Sequence, residues 1–320
     1  MARAIPQVSL RPVEATDFPR LAEIHNMLYP DPITAGDLQR NKERRSSEAI
    51  FHEMVAVDTQ QHVLGRNRAY RGPEFPAGRF FLHVEVDRAF HGQGIGTLLY
   101  QDLLNFVRKH QGSDLDISVP ESVPFALPFA QHRDFTIRRH FFPSRLLLTA
   151  FDETPFAHII KEVETSGIRF FSQAEVGNAP EIQRKLYEMI VVMAEDQPGF
   201  DESIPPFEQL QKQFQDAEHY RLDTQMIAAD GERWVGSAHL LYHPEKRYMT
   251  HWGTGIDRAY RGRHIAFALK LLGIRAARRY DVEYLSTAND SENAPMLAIN
   301  SKLGYQPQPG VYMLRCHLET

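Results

Sequence analysis

Two short segments of the chain could bind a phosphate group, because each combines small residues with the predicted start of a helix. The first is HGQGIG, residues 91–96, and the second is RGRHIA, residues 261–266, where a histidine replaces the middle glycine. A helix N-terminus presents unpaired backbone N–H groups and a partial positive charge. Glycine permits a left-handed turn and the close approach of a ligand. These segments therefore predict an anion cradle suited to a pyrophosphate.

Other phosphate-binding patterns do not fit the first segment. A Walker A loop would place a lysine directly before the Ser or Thr at the helix start, whereas Thr97 follows Gly96. A dinucleotide-binding turn needs the spacing GxGxxG after the first strand, whereas GxGxG here follows several predicted strands. A plain tight turn with glycines for packing is the remaining alternative. The second occurrence of the same context weakens that alternative.

The chain contains an internal repeat of domain size. DRAFHGQGIG begins at Asp87 and DRAYRGRHIA at Asp257, which is an offset of 170 residues (257 minus 87). A period of this length indicates two diverged copies of one domain rather than a solenoid. We therefore predict domains at residues 7–150 and 168–320, joined by a linker at residues 151–167.

Each copy has the same predicted order of elements. Strand-like segments with alternating apolar residues precede the glycine turn, as in RFFLHVEVD of the first copy. The helix after the turn places Ile95, Leu99, Leu103 and Val107 on one face. Further strands close each copy. The order predicts an α/β (α+β) fold in which each copy is a mixed, mostly antiparallel sheet flanked by helices.

The composition excludes several other classes of protein. The chain has 320 residues, a net charge of −5 and a pI near 6.3, which argues against general nucleic-acid binding. No apolar run approaches the ~20 residues of a membrane span, and the start lacks the apolar core of a signal peptide. The single cysteine, Cys316, excludes an internal disulfide and a multi-cysteine metal site. We therefore predict a cytoplasmic protein with no metal, membrane or nucleic-acid partner.

On these segments the chain resembles the GNAT acetyltransferase superfamily, in a tandem two-domain bacterial form. In that family the motif [R/Q]-x-x-G-x-[G/A] follows the fourth strand, and its backbone N–H groups hold the pyrophosphate of acetyl-CoA. HGQGIG matches at Gly94 and Gly96 with His91 at the first position, and RGRHIA matches at its first and last residues. Histidine is among the residues that tolerate a left-handed φ. We therefore expect His264 to preserve the turn, and a loop that no longer closes on phosphate is the alternative.

The second family motif is incomplete in both copies. In the family an Asn after the fifth strand contacts the pantetheine arm, and a Tyr on the next helix protonates the departing thiolate. The second copy has Asn293 at the Asn position and Asn300 at the Tyr position. The first copy has Val123 and Ala130 at these positions. The resemblance therefore implies that both copies lack the usual acid and that the first also lacks the pantetheine Asn.

Few residues are candidates for the proton transfer that amine acetylation requires. Glu85 is the candidate base of the first copy, and an exposed strand charge is the alternative. The matching residue of the second copy is Gly255, which cannot act. There His251 would take a proton through a water molecule, or else pack against Trp252. Asn300 would hydrogen-bond the coenzyme sulfur or the acceptor, or else lie on the helix surface or cap it.

An acidic segment of the second copy, EDQPGFDESIPP at residues 195–206, is expected near the acceptor. It would favour a cationic amine, or it is acidic only because loops are solvated. The resemblance also implies that backbone N–H groups near Val86 and Ile256 polarise the thioester carbonyl. The complete predicted set of coenzyme-binding residues is Val86, His91, Gly92, Gln93, Gly94, Ile95, Gly96, Ile256, Arg261, Gly262, Arg263, His264, Ile265, Ala266 and Asn293.

The sequence predicts an acetyl-CoA-dependent N-acetyltransferase that acts on a small amine. The second copy is the predicted catalytic copy, because it retains Asn293 and the closing Leu-Gly-Tyr at residues 303–305. A non-catalytic protein that binds or senses acyl-CoA is the alternative, since both copies lack the tyrosine. Coenzyme A and the amine are the predicted partners, and a homodimer is left open.

Overall fold

The computed structural model describes residues 7–29, 32–73, 75–195, 204, 206–209, 211 and 219–318. Over this part the chain divides into two compact units. The first unit contains the residues up to His140 together with those from Pro309 onward. The second unit contains Phe141–Gln308.

The first unit has its helices and strands in the order predicted for one copy. Its strands are β1 (Ser9–Pro12), β2 (Ile50–Val57), β3 (Val63–Arg71), β4 (Arg79–Val86), β5 (Asp114–Pro120), the beginning of β6 (Thr136–Leu147) and β13 (Val311–His317). Its helices are α1 (Phe18–Leu28), α2 (Ala35–Glu43), α3 (Ile95–Lys109) and α4 (Ala126–Gln131).

The sheet of the first unit separates at its only parallel pair among the described strands. The strand order is β1-β2-β3-β4-β5-β13, and every neighbouring pair except β4 with β5 is antiparallel. β4 and β5 pair from Arg79 with Asp114 as far as Leu82 with Ile117. Beyond Leu82 the two strands diverge. This divergence leaves an opening in the sheet directly before the glycine turn.

The apolar face of α3 anchors the glycine turn to the sheet. Leu99, Leu103 and Val107 have no exposed surface, and α3 packs on β3 and β4. The predicted spacing of apolar residues therefore does bury one face of this helix. Burial of that face fixes the helix start at the end of β4.

The second unit has a matching set of elements. Its strands are the remainder of β6, β7 (Ile168–Ser172), β8 (Tyr220–Asp230), β9 (Arg233–His243), β10 (Tyr248–Ile256), β11 (Tyr284–Asp290) and β12 (Gln306–Pro307). Its helices are α5 (Ala157–Thr165), α6 (Gln173–Val176), α7 (Pro180–Glu195), α8 (Ile265–Ala277) and α9 (Ala294–Lys302).

The sheet of the second unit also separates beside its glycine turn. The order is β6-β11-β10-β9-β8-β7, with β12 added beside β6. The parallel pair β10 and β11 ends at His251 opposite Thr287. Immediately afterwards the pairing of β10 with β9 shifts register between His251 and Gly253. This irregularity leaves Trp252 as an extra residue that the first unit lacks.

The units do not coincide with the predicted ranges 7–150 and 168–320. The final strand β13 pairs with β5 of the first unit, from Val311 with Pro120 to His317 with Asp114. In the second unit, the part of β6 from Phe141 onward pairs with β11. Each unit thus contains the closing strand expected in the other copy. Strand periodicity shows that a segment is a strand, but it does not select the partner strand.

The predicted fold class is confirmed. Each unit is a mixed, mostly antiparallel sheet flanked by helices. Among the described helices, none combines the length and the apolar character required to cross a lipid bilayer.

Candidate functional site

The first glycine turn connects β4 to α3 through two backbone residues of positive φ. Asp87 Oδ1 accepts the Ala89 N–H at 2.8 Å and closes a short 3₁₀ turn. Gly92 and Gly94 then adopt φ values of 74° and 83°, and Gly94 is the N-cap of α3. Such conformations are readily available to glycine and rare for most other residues. The sequence therefore specifies this turn locally.

The second turn has the same geometry with a histidine at the helix N-cap. Asp257 Oδ1 accepts the Ala259 N–H at 2.9 Å. Gly262 has φ 75°, and His264 has φ 60° and ψ 10°. The expected left-handed conformation of His264 is therefore observed. The prediction that this turn binds phosphate is a separate one and stays a prediction.

The first residue of each turn makes an equivalent contact with the end of the preceding strand. His91 Nε2 lies 2.6 Å from the Val86 carbonyl oxygen. In the second turn, Arg261 Nε donates to the Ile256 carbonyl at 3.3 Å. An imidazole N–H can therefore replace a guanidinium N–H as the donor that fixes the turn. This contact accounts for His91 at a position where the family usually has Arg or Gln.

The outer side of both turns is open. An added Cβ at Gly92, Gly94 or Gly262 would have no atom within 4 Å. In α3 the Leu98 N–H donates to the Gly94 carbonyl at 3.0 Å, so the N–H groups of the residues between them point out of the helix end. The first turn thus combines open space, backbone donors and the positive end of a helix.

A cavity of about 700 Å³ extends from the first turn through the opening between β4 and β5. Its lining includes Gly92, Gly94 and Gly96 of the turn together with Tyr29 and His83. Four consecutive residues of β5, 117–120, also line it. Because consecutive strand residues point to opposite faces, a cavity lined by all four reaches both faces of the sheet.

Aromatic rings and one cation form the wall of the cavity beside the turn. Phe125, Phe129 and Tyr100 line it. The Arg133 guanidinium lies 3.5 Å from the centre of the Phe129 ring, donates to the Phe129 carbonyl at 2.9 Å and to Thr97 Oγ1 at 2.9 Å. It therefore lies beside the helix start, where an anion would gain from a positive charge. Sequence reasoning missed Arg133, because no local pattern links it to a turn more than thirty residues earlier.

Tyr29 and His83 form a hydrogen-bonded pair in the lining of the same cavity. The Tyr29 hydroxyl lies 2.7 Å from His83 Nε2. His83 Nδ1 lies 3.7 Å from a carboxylate oxygen of Glu85. Burial lowers the pKa of His83 to about 3, so its imidazole is neutral at neutral pH. We assign the hydrogen to Nδ1, facing the carboxylate, which leaves Nε2 to accept from the tyrosine.

Glu85, the predicted base of the first copy, lies behind this pair. Its side chain has no exposed surface, and its oxygens accept from His25 Nδ1 at 2.6 Å and from Arg66 Nε at 2.5 Å. Burial opposes its ionisation, but the hydrogen bonds from His25 and Arg66 and the charge of Arg66 outweigh burial and lower the pKa of Glu85. Glu85 is thus a paired carboxylate rather than an exposed strand charge. This geometry supports Glu85 as a partner of His83 more than as the direct proton acceptor.

The residue matching Glu85 in the second unit lies against a packed side chain. An added Cβ at Gly255 would lie 2.2 Å from both Cγ and Sδ of Met193, which belongs to α7. His251, the predicted base there, is buried, and its Nε2 lies 2.9 Å from Thr254 Oγ1. Burial lowers the pKa of His251 well below its ordinary value, and Lys270 and His239 lower it further. His251 is therefore a neutral, buried imidazole.

Asn293 and Asn300 have different positions in the second unit. Asn293 is the N-cap of α9, and its Oδ1 accepts the Met296 N–H at 3.3 Å. Asn300 is 3% exposed and donates to Asn289 Oδ1 at 2.7 Å, so the alternative of a surface helix residue is wrong. The roles of both residues toward a coenzyme stay predictions.

The second unit has buried polar atoms without hydrogen-bond partners in the described structure. They include His251 Nδ1, Asn300 Oδ1 and the Tyr305 hydroxyl. Lys270 is 1% exposed, with its Nζ 5.1 Å from the centre of the Tyr305 ring. Burial lowers the pKa of Lys270 to about 7. The interior beside the second turn is therefore polar, whereas that beside the first is aromatic.

The other predicted coenzyme residues divide between cavity and surroundings. Val86, His91 and Gly96 line the cavity of the first unit, whereas Gln93 is partly exposed and donates to the Ala89 carbonyl at 3.3 Å. Arg263 donates to Ser166 Oγ at 3.3 Å, and Ile95 and Ile265 are buried at the starts of α3 and α8. The roles of these three residues toward a coenzyme stay predictions. Ala266 packs against the core of the second unit.

Two remaining predictions concern charge and metal. Of the acidic segment, Asp196, Asp201 and Glu202 lie outside the described residues. Elsewhere in the second unit, the ligand atoms of His219, His243 and Glu245 lie within 4.8 Å of one another, as a metal site would require. His243 lies opposite Tyr248, at the other end of β10 from the glycine turn. This cluster of three residues does not test whether the acetyltransferase site uses a metal. That the site uses no metal stays a prediction.

Known structures share this fold. A GCN5-related N-acetyltransferase from Sphaerobacter thermophilus aligns with a TM-score of 0.69 at 17% identity, covering 99% of this chain and 98% of its own. A tandem GNAT protein from the clavulanic acid biosynthesis pathway aligns with a TM-score of 0.67 at 18% identity, covering 98% and 99%. At such identities the likeness concerns the fold alone. Curated protein sequences give no match to the chain.

A family model adds sequence evidence to the likeness of fold. The model of the acetyltransferase (GNAT) family matches the chain twice, at residues 18–135 and 186–305. Each match includes one glycine turn and the helix that follows it. The matches together span well over half of the chain. The chain therefore belongs to the GNAT family of acyl-CoA-dependent acetyltransferases, with two of the family's domains in tandem.

Proposed function

We propose that the protein is an acetyl-CoA-dependent N-acetyltransferase for a small amine, and that the first unit is the one that reacts. One observation carries the proposal. The cavity of the first unit joins an anion cradle to the Tyr29–His83 pair through the opening between β4 and β5. A pyrophosphate at the cradle and an amine at the pair would therefore approach the same narrow opening from opposite faces. This choice differs from the sequence-based preference for the second copy.

The chain's own residues supply donors for the coenzyme. The N–H groups at the start of α3 would hold the pyrophosphate, with Arg133 as the neighbouring cation. The apolar walls from Phe125 and Phe129 would enclose the pantetheine arm. The thioester would then lie where β4 and β5 diverge, where strand backbone groups are released from pairing.

Proton transfer would run through Tyr29 to His83. As the amine nitrogen attacks the acetyl carbonyl, its proton passes to the Tyr29 oxygen while the Tyr29 proton passes to His83 Nε2. The imidazolium that forms faces the Glu85 carboxylate, which stabilises its charge. The C–S bond breaks as the amide forms, and the thiolate finally takes up a proton. Ala130 at the family's tyrosine position cannot supply that proton, so the solvent or His83 must.

The rival function is binding of acyl-CoA without turnover. Met193 beside Gly255 favours this rival for the second unit, because the position matching Glu85 there has neither a carboxylate nor space for one. The two units would then have different tasks, with reaction in the first and binding in the second.

Thiol release from acetyl-CoA with a panel of primary amines tests the proposal, together with calorimetric titration of coenzyme A. We expect coenzyme binding and amine-dependent thiol release. Binding without release for any amine would favour the rival function. No heat and no thermal shift at millimolar coenzyme A would contradict both.

A further inference from the structure

A row of charged side chains lies beside the Tyr29–His83 pair in the first unit. Arg68 on β3 is directly opposite His83 on β4 and directly opposite Glu53 on β2. Arg66 is two residues from Arg68, so both point to the same face of the sheet. This is the face on which His83 meets Tyr29.

The carboxylates of this row are engaged by Arg66. Glu85 accepts from Arg66 Nε at 2.5 Å, and Glu53 lies 3.6 Å from Arg66 Nη1. Across the described residues, no carboxylate oxygen lies within 4.0 Å of the guanidinium groups of Arg68 or Arg45. Once Arg45 is included, three guanidinium groups face the two carboxylates Glu53 and Glu85, an excess of one positive charge.

Arg68 and Arg45 are both partly buried. Burial and repulsion from Arg66 lower the pKa of Arg68. Burial also lowers the pKa of Arg45, and Arg68 contributes to that shift. Arg45 lies 3.0 Å from the centre of the Phe51 ring, which holds it on the same sheet face. An excess of positive charge at a partly buried site favours the binding of an anion.

We propose that the amine acceptor carries a carboxylate, and that Arg68 binds this carboxylate while the amine meets Tyr29 and His83. The proposal rests on the proposed function of the first unit. Directly opposite residues on paired strands have Cβ atoms about 5 Å apart. The two recognised groups must therefore lie close together, as in an α- or β-amino acid. One excess positive charge matches a carboxylate, whereas a phosphate monoester would bring about −1.5 to −2 charges.

Carboxylate binding would also assist the proton transfer. Arg68 is one of the charges that lower the pKa of His83, after burial. A carboxylate on Arg68 would cancel that contribution and make His83 a better proton acceptor. The second unit lacks this arrangement, because register places His239 where Arg68 stands and Gly253 where His83 stands.

Matched acceptors and a matched variant test the proposal. The acceptors are L-phenylalanine with phenethylamine, L-histidine with histamine, L-leucine with isoamylamine and β-alanine with ethylamine. The variant is Arg68→Gln, and its control is Arg71→Gln, an arginine on the same strand that points to the opposite face. The wild-type kcat/KM should be about 10- to 150-fold higher for the carboxylate member of at least one pair. Arg68→Gln should remove this preference, and Arg71→Gln should retain it.

A preference for the decarboxylated amines, or an equal loss for both members in Arg68→Gln, would overturn the proposal. Calorimetric titration of the same amino acids into the coenzyme-saturated protein provides a readout without turnover. Amino-acid binding that Arg68→Gln abolishes, in a protein that releases no thiol, would retain the carboxylate site and contradict the proposed catalysis. If the protein neither binds nor acetylates any of these amino acids, the proposed carboxylate site is wrong. Coenzyme binding by the same protein would show that the fold is intact.

Discussion

The two units have nearly the same glycine turn and different walls around it. Gly92 and Gly262 differ by one degree in φ, and Gly94 and His264 are both left-handed N-caps. At the offset of 170 residues the wall positions change character. The pairs, first unit then second, are Tyr100 and Lys270, Ile117 and Thr287, Val119 and Asn289, Val123 and Asn293, Ala130 and Asn300, and Phe135 and Tyr305.

The turn and the wall are therefore constrained by different structural features. The turn depends on a few backbone angles, so a glycine or a histidine satisfies it equally. The wall depends on which side chains meet across the sheet, and there apolar residues leave an open cavity. In the second unit polar residues bond to one another, as Asn300 does to Asn289. The same turn geometry can therefore be combined with walls of different chemistry.

The largest expected effect comes from His83→Gln. Glutamine can still bond to Tyr29 but cannot take up the proton, so kcat/KM should fall by roughly 10²- to 10⁴-fold. In the wild type, His83 has a pKa of about 3 and is therefore neutral between pH 5 and 8. Its titration should not change the rate in this range. The rate should instead rise with pH as the amine loses its proton. Steady-state kinetics across this range measures both effects.

His251→Gln is the matched change in the second unit. Its activity should remain close to that of the wild type once thermal unfolding shows that the variant is folded. A greater loss in His251→Gln than in His83→Gln would reverse the assignment of the two units.

The next effect concerns the two turns. Gly94→Val forces a β-branched residue into a left-handed conformation and directs its side chain to the open side, where phosphate would bind. Acetyl transfer should fall roughly 100-fold, because strain and lost anion contacts combine. Gly94→His is the control, since the second turn has histidine there, and it should retain most activity. If His264→Val abolishes transfer and Gly94→Val does not, the second unit is the reacting one.

Lys270→Met tests the polar interior of the second unit through stability. Lys270 has a pKa of about 7 in the folded protein and 10.5 ordinarily, so the unfolded chain binds its proton first as pH falls. The folded protein therefore loses stability as the pH falls from 10.5 to 7. Lys270→Met should be more stable than the wild type at pH 7 by on the order of 3 kcal/mol. Urea unfolding should show the difference shrinking toward pH 10.

The exposed Lys302 provides the control, and Lys302→Met should change stability little. A less stable Lys270→Met would mean that the ammonium group has a partner that compensates for its burial.

The smallest expected effect is that of Asn293→Ala. Its side chain caps α9, so the free energy of unfolding should fall by about 1 kcal/mol. Coenzyme affinity should not change if only the first unit binds acyl-CoA. Calorimetry separates this outcome from the family role, in which loss of the amide would weaken coenzyme binding roughly 5- to 150-fold.

The two turns, the helices that follow them and the repeated order of elements could be predicted from the sequence alone. A glycine or a histidine with positive φ acts through its own backbone, and a helix with one apolar face acts through its own periodicity. These local properties predicted Gly94, His264 and the burial of Leu99 correctly. They also carried the resemblance to the family, since its motifs lie in the same segments.

Contacts between residues that are distant in the sequence depend on the tertiary structure and could not be predicted locally. Tyr29 bonds to His83 across 54 residues of chain, and Met193 of α7 packs against Gly255 of β10. The closing strands likewise pair in the other unit from the one expected. A strand offers the same row of backbone donors and acceptors to any partner, and the choice depends on packing over the whole unit. The chemistry of the wall therefore becomes visible only when the chain is folded.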